Sequence, residues 1–208
     1  MAARRRCVPS LPGEAQAGSL ALMKHKTFRL PKRVLLGCAL AAVAGCGDNT
    51  TESGAELLQL AESGDTQALN ALLGRRAEPN YRDACQWTPL MKAAVNGHLD
   101  AVRSLLDAGA VVDAADTGDY TALLLAASNN HARVVEALLA RGAMIDHQEN
   151  TQGFTALIWA AKRGHAQAVD ALVRAGADKT LPDHEGRTAA DWAAAEGHDR
   201  VLALLRED

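Results

Sequence analysis

The sequence predicts an all-α solenoid of about five helix-turn-helix repeats, and three patterns predict it. Thr88, Thr121, Thr155 and Thr188 recur at one spacing, with a single extra position in the middle step. His98, His131, His165 and His198 recur at the same spacing with the same extra position. Between these markers, alanine pairs alternate with Val-Leu-Leu faces at fixed offsets. Self-similarity at a period of about 33 residues means one supersecondary unit, copied and stacked.

Each element has a local reason. The Thr88 oxygen can cap a helix N-terminus and Pro89 suits the first helical position, which predicts a short helix from about Pro89 to Asn96. Gly97 supplies the left-handed residue that ends it, with Gly164, Gly197 and Asn130 as equivalents. Asparagine is the next most tolerant residue in that conformation. A second helix starts near His98 or Leu99 and ends at Gly109. Its Val102, Leu105 and Leu106 lie at helical spacing on one face, repeated as Val135, Leu138, Leu139 and Val169, Leu172, Val173. The first helices carry Ala93-Ala94, Ala126-Ala127, Ala160-Ala161 and Ala193-Ala194, small pairs that let neighbouring helices approach closely. Helices of about two turns bury too little to stand alone, so the units stack.

A unit of this period with Thr-Pro-Leu, Ala-Ala, Gly-His, Leu-Leu and Gly-Ala at fixed offsets resembles the ankyrin repeat. Four copies fall at about 83–115, 116–149, 150–182 and 183–208. A weaker first copy at about 55–82 places Asp65 one period before His98, with Leu69, Leu72 and Leu73 on the Val-Leu-Leu positions. The resemblance thus covers roughly 55–208, with the first and last repeats as caps. Arg206 stands where other copies have an apolar residue, the polar change a terminal repeat needs. The sequence also departs from the family pattern. Met91, Leu124, Ile158 and Asp191 occupy the position after Thr-Pro-Leu where the family usually has His, which puts the family's hydrogen bond there in question. Ala122, Ala156 and Ala189 replace Pro in the later copies. Gln86 and Asp119 replace the Gly before the loop-tip aromatic in two of them.

Upstream of the repeats, residues 1–22 fit no signal architecture and read as an extension ahead of a true start at Met23. Residues 23–45 read as a signal peptide: Lys24, Lys26, Arg29, Lys32 and Arg33 precede an unbroken apolar run from Val34 to Ala44. That run is short of the roughly 20 residues a spanning helix needs. Val43-Ala44-Gly45-Cys46 resembles the lipobox of bacterial lipoproteins, which implies lipidation of Cys46. Cys38 also follows a glycine, but little of the apolar run precedes it. Residues 46–54 are polar and aperiodic and read as a tether. Gly47, where the family rule for inner-membrane retention has Asp, leans toward the outer membrane. The expectation is an envelope protein, lipid-anchored and facing the periplasm; the alternative is a cytosolic regulatory or adaptor protein.

Residues 1–45 hold 8 of the 22 basic and 1 of the 25 acidic residues, which leaves 14 basic and 24 acidic residues, a net −10, in 46–208. That charge argues against binding a phosphate backbone, so no nucleic-acid partner is expected. With Cys46 acylated, Cys85 has no partner in the mature chain, and no structural disulfide is expected. HExxH, CxxC and GxSxG motifs and a phosphate-cradling glycine loop are all missing, so the expectation is not an enzyme, with no cofactor. The four repeated histidines lie in different repeats, and packed helices sit about 8–10 Å apart. Zinc needs its ligand nitrogens at about 2.0–2.1 Å around one point, so these histidines form a ladder between repeats and no metal site is expected. His147 and His184 fall in loops with no pairing legible in the sequence.

One constellation points to binding. Trp87, Tyr120, Phe154 and Arg187 directly precede the four repeat threonines. The resemblance places them in loop fingers at the edge of a concave groove, and Trp, Tyr and Arg are enriched in binding hot spots. The same resemblance makes the residues before each helix-ending turn groove-facing, among them Asn96, Asn129, Lys162 and Arg163. Lys162 and Arg163 add a basic spot for an acidic partner. Trp159 and Trp192 lie within the first helices and are expected to pack. The function implied is a monomeric, non-catalytic scaffold binding a partner protein. An immunity or inhibitor protein for an envelope enzyme is one form of it.

Overall fold

The computed structural model describes residues 49–206. The extension, the signal peptide and the lipidated Cys46 expected upstream lie outside the described residues. Ten helices follow in pairs: α1 Asn49–Ser63 and α2 Thr66–Gly74; α3 Pro89–Val95 and α4 Leu99–Asp107; α5 Ala122–Ser128 and α6 Ala132–Leu139; α7 Ala156–Lys162 and α8 Ala166–Arg174; α9 Ala189–Ala195 and α10 Asp199–Arg206. The helices within a pair pack together, and so do successive first helices (α1, α3, α5, α7, α9) and successive second helices (α2, α4, α6, α8, α10). The result is the all-α stack of about five helix-turn-helix repeats that the period predicts. Among the described residues no helix is long and apolar enough to cross a membrane.

The expected side chains hold the stack. Ala93, Ala94, Ala126, Ala127, Ala160, Ala161 and Ala193 are fully buried between first helices, while Val102, Leu105, Val135, Leu138, Val169 and Leu172 seal the second row. Burying a side chain of Leu size contributes roughly 1.5–3 kcal/mol. Thr88, Thr121, Thr155 and Thr188 each cap a first helix, the hydroxyl oxygen accepting from the amide of Met91, Leu124, Ile158 and Asp191 respectively. The reciprocal bond questioned by the missing His survives in two repeats by other chemistry. The Met91 sulfur accepts from Thr88 N at 3.4 Å, and the Asp191 carboxylate from Thr188 N at 2.8 Å. Leu124 and Ile158 serve core packing at this position instead, each 1% exposed.

The helix-ending residues Gly97, Gly164, Gly197 and Asn130 are all left-handed, with φ of 75°, 71°, 73° and 61°. The Asn130 exception has a structural use: its Oδ1 accepts from Ala168 N, tying its turn to α8 of the next repeat. Against the turns at Gly64, Gly97 and Gly164 lie His98, His131 and His198 of the following repeats. A Cβ on Gly97 would sit 2.5 Å from His131 Nδ1, so glycine here serves close approach as well as φ. The ring Nε2 atoms of His98, His131, His165 and His198 donate to the carbonyls of Glu62, Val95, Ser128 and Lys162 at 3.0–3.1 Å. Each carbonyl belongs to the end of the previous first helix, so the ladder of histidines stitches every repeat to the one before it.

Two expectations are corrected. The polar stretch 47–54 is not all tether, because α1 begins at Asn49. Gly54 is buried under the Tyr81 ring, whose Cδ2 would lie 2.2 Å from a Cβ there. The first repeat therefore reaches further upstream than its apolar residues suggest. Cys85 is disulfide-bonded. The expectation of no structural disulfide rested on Cys46 being acylated.

Two outcomes follow from this packing. Gln86 holds φ 65° without being glycine. Gln86→Gly should raise the unfolding free energy by about 0.5–1 kcal/mol in urea titrations, since the left-handed conformation is costly for a residue with a Cβ. The second outcome concerns pH. Burial lowers the pKa of His131 and of His165 below 6.5, against the raising effect of their bonds to Val95 and Ser128; nearby His98 lowers the first, and Arg163, His198 and His131 lower the second. A base whose folded pKa is depressed binds more protons when unfolded, so stability is complete above 6.5 and is lost as pH falls through the folded values. The double variant His131→Gln, His165→Gln keeps a donor but does not titrate. Melting curves should show a flatter pH dependence for it than for wild type between about pH 7 and 5.

Candidate functional site

Each repeat from the second onward begins with a finger loop folded around one carboxylate. Asp83 Oδ1 accepts from Cys85 N and Trp87 N, Asp116 Oδ1 from Gly118 N and Tyr120 N, and Asp183 Oδ1 from Glu185 N and Arg187 N. The turn closes as the amide of each aspartate donates to the carbonyl of Trp87, Tyr120 and Arg187. In the fourth repeat the carboxylate is Glu149, which accepts from Thr151 N, Gln152 N and Phe154 N. This finger holds the extra residue that lengthens the step from Thr121 to Thr155. The longer side chain spans the longer loop. Burial raises the pKa of Glu149 and of Asp183, but these bonds outweigh it and hold both below their ordinary values of 4.5 and 3.8. Glu149 and Asp183 stay charged, and the amides they hold stay occupied, at neutral pH. His147 and His184, unassigned in the sequence, belong here: His147 Nε2 donates to Asp119 O, and His184 N to Gln152 O.

The finger residues, expected at the edge of a groove, differ widely in exposure. Trp87 is half-buried and Arg187 keeps 38% of its side chain exposed. Tyr120 is 8% exposed and Phe154 only 1%. Phe154 meets Trp159 edge-on at 5.0 Å and Trp192 at 5.5 Å, and Tyr120 lies 6.3 Å from Trp159. As partner-contact side chains, Tyr120 and Phe154 are therefore corrected: they buttress the fingers from within. The reason is the pair of tryptophans on α7 and α9, large enough to draw the finger aromatics down onto the helices. Trp159 and Trp192 are packed as expected, at 8% and 7% exposure.

What the buried aromatics present to solvent is cations. Lys92 Nζ lies 4.9 Å from the Trp87 ring centroid, Arg163 Cζ 5.2 Å from Trp159, and Arg187 Cζ 3.6 Å from Trp192. Lys162 Nζ lies 3.8 Å from Trp192 and 4.9 Å from Phe154. Rings and cations thus share the face made by the fingers and the ends of the first helices, held by cation–π attraction. Asn96 and Asn129 stand on that face beside their helix ends, each Nδ2 donating one helical turn back, to Lys92 O and Leu125 O. Asn96 is exposed and Asn129 half-buried. Lys92 is offset by Glu62 at 3.4 Å, and Arg187 by Glu185 and by Asp183 at 3.8 Å.

The sequence reading missed the finger carboxylates and the cation–aromatic stacks. Asp83, Asp116, Glu149 and Asp183 recur at the repeat period, a signal as plain as that of the histidines. Chemically the face offers donors, cations and apolar walls. Among the described residues no three His, Cys, Asp or Glu side chains converge as a metal site.

A family model described as ankyrin repeats, in three copies, matches residues 57–149 and 143–208. No curated protein sequence matches the chain. Matched by a repeat family over nearly all of its helical stack, with the capping threonines, left-handed turns and finger loops in register, the chain belongs to the ankyrin-repeat family.

Proposed function

We propose that this ankyrin protein is a non-catalytic scaffold, anchored through a lipid on Cys46 in the bacterial envelope, facing the periplasm and binding a partner protein. Ankyrin repeats suggest protein–protein interaction, and the observation that carries the reading here is the preorganised face. Trp87, Asn96, Asn129, Lys162, Arg163 and Arg187 are presented on one side of the stack, and the groups of that face which bear charge are held by aromatic rings instead of being left to wander. Side chains fixed before binding lose little entropy on it. The anchor rests on the sequence: a basic segment, the apolar run from Val34 to Ala44 and a cysteine behind Val43-Ala44-Gly45.

Two measurements test this. Expressed in a bacterial host, the wild-type chain should start at Cys46, carry acyl mass and pellet with membranes, while Cys46→Ala stays unacylated. If both forms remain soluble and keep residues upstream of 46, the anchor falls and the partner belongs in the cytoplasm. For the face, Trp87→Ala should leave the fold within about 1 kcal/mol of wild type yet abolish co-purification of the envelope partner. Phe154→Ala should cost about 3–5 kcal/mol in denaturant titrations, because its ring is core. Equal destabilisation by the two would show that Trp87 is a buttress as well.

A further inference from the structure

The positive charges of the binding face are not equivalent. Lys92 and Arg187 each have carboxylates beside them and are largely offset. Lys162 does not: among the described residues its Nζ contacts only the rings of Trp192 and Phe154, at 3.8 and 4.9 Å. An ammonium has three donors and no acceptor. Aromatic faces occupy one side of this one, and no carboxylate among the described residues lies within ion-pair distance of it. Arg163, the next residue, adds a second charge. Its Nη1 donates to the Ser128 carbonyl at 3.1 Å and its guanidinium lies over Trp159, so it too is fixed in place. Both charges sit at the C-terminal end of α7, where the helix dipole favours cations.

We propose that Lys162, with Arg163 beside it, forms a receptor for a short segment of the partner protein that bears an Asp or Glu carboxylate. The inference rests on the protein-binding reading above and names the partner's chemistry. A carboxylate reaching Lys162 gains a charge-assisted bond to a group already oriented and partly stripped of water. The surroundings set the length of the segment. Residues 46–208 carry 14 basic and 24 acidic residues, so an extended polyanion meets repulsion on most of the surface. Glu196, exposed one repeat further along in the register of Arg163, bounds the receptor on that side. A single acidic motif fits this pattern, and a nucleic acid does not.

The probe is a random heptapeptide display library panned on the full chain and on a double variant, Lys162→Met with Arg163→Gln. Methionine keeps the apolar stem against Trp192, and thermal melts establish that the variant folds. Clones retained by wild type and lost on the variant should carry Asp or Glu. As free peptides they should bind the variant about tenfold more weakly. They should weaken as salt rises, and bind Glu196→Lys several-fold more tightly. Clones lost on Trp87→Ala but without acidic bias would overturn the acidic-segment assignment and leave the protein-binding face standing. A library yielding no clone sensitive to any of these variants would overturn both. Displacement of acidic clones by a single-stranded oligonucleotide would overturn the choice of a peptide.

Discussion

Every first helix from α1 to α7 ends on a carbonyl that its own repeat leaves unsatisfied, and the histidine of the next repeat supplies the missing proton. The arrangement depends on that one bond. To reach the carbonyl, the imidazole must press against the turn that ends the helix, and the turn must then be left-handed and nearly free of side chain. Alanine pairs bring successive first helices close enough for the bond to form. At His131 and His165 burial favours the neutral imidazole and outweighs the bonds to Val95 and Ser128, which by themselves favour the charged ring. Repeats fixed to one another in this way carry their fingers as a rigid array, and that rigidity gives the binding face its fixed side chains.

The periodic features were fully legible in the sequence: the threonine caps, the left-handed turns, the Val-Leu-Leu faces and the ladder role of the histidines. They share a physical property. Each is repeated several times, so spacing alone identifies it, and each acts through the backbone or against it, where the geometry is the same in every copy. The first repeat was only partly legible. Its opening helix begins with small polar residues and a glycine covered by Tyr81, which have no apolar period to announce them.

The binding face was legible as a register but not as a surface. Trp87, Tyr120, Phe154 and Arg187 occupy one position of the repeat, yet their exposure runs from half-buried Trp87 to fully buried Phe154. What separates them is the residue at the neighbouring helical position: Lys92 beside Trp87, Trp159 and Trp192 beside Phe154. Such pair effects belong to three-dimensional neighbours, which sequence spacing does not rank. The tryptophans also differ between themselves. Trp192 Nε1 donates to Asp183 at 2.8 Å, whereas Trp159 Nε1 is buried without an acceptor. The carboxylate in its register, Glu149, is turned wholly to its own loop.

That loop carries a broader lesson about how such a molecule can diverge. The extra residue in the fourth finger leaves no mark on the helices behind it, because a single methylene of additional reach in Glu149 gathers the longer turn back to the same anchor points. Length variation is thereby decoupled from stacking. A lineage could lengthen or shorten its fingers, and so reshape what it recognises, through paired changes confined to one loop and its carboxylate, while the helical scaffold beneath passes through unaltered.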